Sequence, residues 1–88
     1  MFPWDEGKRQ RNWRKHRIDF ADVERFDLVD ALLFVDDRTD YGEAREIAIG
    51  FLDERIHVLV FTRRGDDVRV ISLRKANERE IRQYDTRT

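Results

Sequence analysis

The side chains able to do chemistry in this 88-residue chain are mostly cationic. Lys8, Asn12, Lys15 and His16 fall at i, i+4, i+7 and i+8, which places them on one face of a helix. A hairpin pattern between Ile56 and Ala76 carries Arg63, Arg64, Arg69, Arg74 and Lys75. Carboxylates such as Glu43 and Glu46 stand between the two groups. His16 and His57 show no HxxxH or Cys/His spacing, so no metal-ligand pattern is visible. No glycine-rich phosphate loop or nucleophile elbow is present. Ser72, the one serine, sits inside a strand pattern without a neighbouring base, which argues against a hydrolase triad. His57 flanks a central strand and reads as a core or partner-facing residue.

This inventory suits RNA cleavage without a metal. RNA carries its own nucleophile, the 2′-hydroxyl. The protein must supply a base, cations for the charged phosphorane and an acid for the leaving oxygen. Histidine titrates near neutrality, with an ordinary pKa of about 6.5. Arginine forks match phosphate oxygens two at a time. The same residues would serve a domain that binds nucleic acid without cutting it, or one that only completes a complex. On chemistry alone all three readings stay open.

These residues need elements to hold them. Ile56 to Thr62 is apolar and β-branched, Arg64-Gly65-Asp66-Asp67 is a turn signal, and Val68 to Leu73 is a second strand. Ile56, Val58 and Val60 point one way, Leu59 and Phe61 the other, so the first of these strands belongs mid-sheet. Upstream, Phe2 and Trp4 form an aromatic tail or edge strand, which Pro3 limits to an edge. Asp5 caps a helix running to about His16, whose only large apolar residue is Trp13. Asp19 caps a second short helix with Asp22 at N3, burying Phe20, Val23 and Phe26. Ala31 to Asp36 reads as a strand, Asp37 to Gly42 as its turn, and Arg45 to Phe51 as the next strand, where Gly50 marks a bulge or a close backbone approach. Asn77 and Glu80 form a capping box for a C-terminal helix with Ile81 and Tyr84 inward. The order gives an α+β domain over residues 1–88: an antiparallel meander of about four strands, two N-terminal helices and a C-terminal helix.

Charge is unevenly placed although the net value is −1. Residues 1–20 carry a balance of +3, residues 21–46 of −6 and residues 47–88 of +2. Such a pattern suggests one polyanionic partner and one basic partner. The chain has no cysteine and no apolar run long enough for a membrane span, so a cytoplasmic protein with no membrane association is expected. So short a chain has room for one small core, and an obligate partner would add stability.

The ordered residues also carry a resemblance. Trp4-Asp5, Lys8, Asn12 and Lys15-His16 read as WDxxKxxxNxxKH. Asp36, Arg38, Tyr41-Gly42-Glu43 and Arg45 read as DxRxxYGExR. Thr62 and Arg64, then Arg69, Ile71-Ser72, Arg74-Lys75-Ala76, Glu80 and Tyr84, complete the pattern. From Trp4 to Tyr84 the chain resembles the BrnT family of type II toxins. Arg17 departs from it where the family has glycine after the Lys-His pair, and suggests a helix lengthened by a turn. The resemblance implies a RelE-like fold and a metal-free ribonuclease, with no cofactor, that inhibits translation. It implies a BrnA-like ribbon-helix-helix antitoxin, and a toxin–antitoxin complex on operator DNA. Carried onto this sequence, Arg64 and Arg74 would hold the scissile phosphate. Lys15 or His16, with Glu43, would handle protons. Lys8, Arg45 and Lys75 would bind and steer RNA.

Overall fold

The computed structural model describes residues 4–36 and 42–87. Phe2, Pro3 and the turn residues 37–41, Arg38 and Tyr41 among them, lie outside the described residues. Helix α1 spans Glu6–His16, and a 3₁₀ helix spans Phe20–Arg25. Strands β1 (Leu32–Asp36), β2 (Arg45–Leu52), β3 (Arg55–Arg64) and β4 (Asp67–Lys75) follow, then helix α2 (Glu78–Asp85). The strands form one antiparallel sheet in chain order, with β3 in the middle as its two apolar faces require. Arg64 and Asp67 pair across the turn, where Gly65 takes φ 60°.

In place of the one small core expected from the chain's length, each face of β3 has its own cluster. Leu59 and Phe61, with Val70 and Leu73 of β4, pack against Ile18, Phe20, Val23 and Phe26. Trp4 joins them edge-on to Phe20, ring centroids 6.4 Å apart, and bridges Val70 in parallel. On the opposite face Ile56 and Val58 meet Ile49 and Tyr84, with Ile81 alongside. The Asn77–Glu80 capping box forms as expected.

Gly50 marks a close approach and the bulge lies elsewhere. A Cβ at Gly50 would stand 3.1 Å from both the Ala31 Cβ and the Asp27 carbonyl oxygen. The register shift falls between Val60 and Phe61, where Ile71 is the extra residue of β4.

Arg17 does not lengthen α1. It adopts φ 56° and ψ 35°, and its N–H donates to the Trp13 carbonyl, so it performs the left-handed stop that glycine performs more cheaply. An L side chain there costs about 1–2 kcal/mol. The guanidinium recovers part of this over the Trp13 ring, 5.7 Å from its centroid. Arg17→Gly is therefore expected to stabilise the fold by about 0.5–1 kcal/mol, read as a Tm a few degrees higher.

Candidate active site

One polar side chain sets the geometry of the site. Asn12 is 5% exposed. Its Nδ2 donates to the Leu73 carbonyl at 2.8 Å and to the Ile18 carbonyl at 3.0 Å, while its Oδ1 accepts from the Leu73 N–H at 3.1 Å. The primary amide thus copies the two-bond exchange of a neighbouring strand and seals that part of the β4 edge. Trp13, the large apolar residue of α1, stays 47% exposed, so Asn12 and not Trp13 fastens the helix to the sheet. Asn12→Ala would strand buried backbone groups and is expected to cost about 2 kcal/mol in urea unfolding.

Docked this way, α1 and β4 enclose a cleft of about 390 Å³. Lys8, Arg11, Lys15 and His16 line it from the helix. Ile71, Ser72 and Arg74 line it from the strand. Among the described residues no carboxylate lines the cleft. The imidazole of His16 reports this environment. Burial, then the charges of Lys15 and Arg74, push its pKa below the ordinary histidine value. A neutral imidazole facing cations can accept a proton at physiological pH.

Arg74 is held from behind by α2. Its Nη1 and Nη2 donate to Glu80 Oε1 and Oε2 at 2.8 and 2.7 Å. The Arg74 guanidinium holds Glu80 below the usual carboxylate range, helped by the Asn77 N–H that donates to the same carboxylate at 2.9 Å. The capping box of α2 is therefore also the mount of Arg74. The sequence showed Glu80 as a cap; its second role needed the fold.

A second clamp fixes the start of the chain. Arg9 donates through Nε and Nη2 to the Asp19 carboxylate, both at 2.8 Å. Hydrogen bonds from Arg9 and from the Ala21 N–H bring Asp19 down to about 2. Asp19 also caps the 3₁₀ helix, so this pair joins that helix to α1.

Not every candidate residue meets in the cleft. Arg74 lies opposite Val58, and Arg64 lies six positions further along β3, about 20 Å away at roughly 3.3 Å per residue. Arg64 donates to Glu43 at 3.3 Å instead. Arg45, half-buried and opposite Asp36, belongs to that same end of the sheet. Lys75 is exposed and paired in register with His57, outside the cleft lining. His57 itself is buried, with Nδ1 2.8 Å from the Arg55 carbonyl oxygen, and serves the core. Arg11 was missed in the sequence although it stands three residues after Lys8 and four before Lys15, a spacing that marks the same face.

A family model described as the ribonuclease toxin BrnT of type II toxin–antitoxin systems matches residues 4–80. The chain belongs to the BrnT family. A 1.1 Å crystal structure of the Brucella abortus ribonuclease toxin BrnT is 36% identical, with a TM-score of 0.70. The match covers 88% of this chain and 96% of that one. No curated protein sequence matches. Membership identifies a ribonuclease toxin fold and implies an RNA target and an antitoxin partner. The α+β fold expected from the sequence is the fold of that BrnT structure. Among the described residues no helix is long and apolar enough to cross a membrane, and no group of three His, Cys, Asp or Glu is placed to hold a metal ion.

Proposed function

We propose that this chain is an endoribonuclease toxin that cuts RNA in the cleft between α1 and β4 without a metal ion. The observation that carries the reading is the convergence of Lys8, Arg11, Lys15, His16 and Arg74 on a cleft free of carboxylates among the described residues. Neutral His16 takes the proton of a 2′-hydroxyl. The 2′-oxygen attacks phosphorus, and the bond to the 5′-oxygen breaks. Lys15 returns a proton to that oxygen, leaving a 2′,3′-cyclic phosphate and a 5′-hydroxyl. Arg74 and Lys8 neutralise the phosphorane, the task a metal ion performs elsewhere. Arg64 and Arg45, beside Glu43, meet the RNA further along the sheet, and Lys75 adds to the long-range attraction.

In this reading the target is cytoplasmic RNA, and its loss arrests translation. A BrnA-like ribbon-helix-helix antitoxin covers the cationic surface, and the acidic stretch between Ala21 and Glu46 offers basic partner residues a landing site. The toxin–antitoxin pair would then sit on its own operator DNA.

Purified protein mixed with a labelled transcript tests the chemistry. Cleavage at equal rates with and without EDTA, leaving cyclic phosphate ends, is expected. Dependence on a divalent ion, or 5′-phosphate products, would overturn the mechanism. Binding without any cleavage would favour a non-catalytic regulator.

A further inference from the structure

Beside the catalytic cleft lies a second cleft of about 480 Å³ on the α2 side of the sheet. The two share Ser72 and Arg74, so one boundary separates a cationic basin from a different surface. An apolar row across the sheet forms its floor, and the carboxylates of Asp36 and Glu80 also line it. Phe34 pairs with Ile47, Ile47 with Val60, and Val60 with Ser72. The neighbouring row, Leu32, Ile49, Val58 and Arg74, leads into the core beneath Tyr84 of α2. The Phe34 row is left open: Ile47 and Val60 are half-buried, and Phe34 is 38% exposed at the far end. Three strand spacings make the strip about 14 Å long. Gln83 and Arg79 of α2 stand along its rim.

We infer that this strip is the nucleobase subsite of the enzyme, where the base next to the scissile phosphate lies flat over Val60 and Ile47 and stacks on Phe34. The inference rests on the ribonuclease reading above. A nucleotide is a charged phosphate joined to a flat apolar ring, and the two clefts offer those surfaces side by side with Arg74 at the seam. Unpaired bases are recognised by stacking on exposed aromatic rings, with polar groups reading their edges. Ser72 at one end and Gln83 on the rim supply such groups. Phe34 is then a specificity-determining residue well away from the proton-transfer machinery.

Binding to fluorescein-labelled 2′-deoxy decamers separates stacking from phosphate attraction, because these cannot be cut. One probe carries thymine throughout; the other has the same phosphates and no bases. The full chain is expected to bind the base-bearing decamer about tenfold tighter than the abasic one, within the range for base–aromatic stacking. Phe34→Ala and Phe34→Leu should each bring that ratio below about threefold, while Phe34→Tyr keeps it. Phe34→Leu retains apolar bulk, so its loss of the ratio separates stacking from a folding defect. Arg74→Ala should weaken both probes by one factor and leave the ratio alone. Equal binding of both probes by the natural chain would overturn the inference. So would an unchanged ratio in Phe34→Leu, including the case in which that variant loses only antitoxin binding. Failure of the ribonuclease reading would show separately, as a natural chain that leaves a transcript uncut.

Discussion

Replacing Arg74 by alanine lowers the single-turnover rate of RNA cleavage by about 10²–10³-fold, the usual cost of losing a donor aimed at developing charge. The expectation follows from where the guanidinium stands. It lines the cleft opposite His16, and Glu80 fixes its orientation with two short hydrogen bonds before any RNA arrives. Unfolding does not account for such a loss. The Arg74 side chain is 34% exposed, and breaking a partly exposed ion pair costs about 1 kcal/mol. The Tm of the variant should therefore fall by only a few degrees. Arg74→Lys should recover only part of the rate, because an ammonium keeps the charge and loses the fork. In cells, Arg74→Ala should relieve growth arrest. Arg64→Ala, at the other end of β3, is expected to raise KM a few-fold at an unchanged kcat. A loss of kcat in Arg64→Ala equal to that in Arg74→Ala would move the reaction centre away from the α1–β4 cleft.

His16→Gln is expected to slow cleavage by about 10²–10⁴-fold, the range for removing a general base. The pH dependence carries the finer test. Only the neutral imidazole can take a proton, so the rate falls as pH drops through the His16 pKa. Burial and the charges of Lys15 and Arg74 set that pKa below the ordinary value. The acidic limb of kcat/KM should thus lie below pH 6.5, with a flat rate through neutrality. Lys15→Ala removes one repelling charge, so the His16 titration followed by NMR should move upward. Two histidines titrate in this chain, and the signal absent in His16→Gln assigns the other to His57. An acidic limb above the ordinary histidine value would contradict the electrostatics of the cleft.

The sequence carried much of the fold because its signals were local. Alternation in β3 placed that strand mid-sheet, and Asp5, Asp19 and Asn77 announced the three helix starts. Spacing alone put Lys8, Lys15 and His16 on one face, and they do share a cleft. What spacing could not show was which strand that face would meet. The answer lies in the bonds between Asn12 and Leu73, two residues 61 positions apart. Arg64 and Arg74 were grouped because each ends a strand. In a hairpin, however, the end of one strand faces the beginning of the next, which sends the two side chains to opposite ends. Asn12 looked like one more polar residue on a basic face because amide-to-backbone pairing leaves no periodic trace. Arg17 hid the end of α1 because the residue type argued against the left-handed conformation that it adopts.

The fastening of α1 to β4 has a consequence during synthesis. Lys8, Lys15 and His16 are synthesised well before the wall they face, with Leu73 and Arg74. A chain translated only as far as β3 carries one wall of this cleft and lacks the other. The cleft between α1 and β4 therefore forms only once β4 has been made.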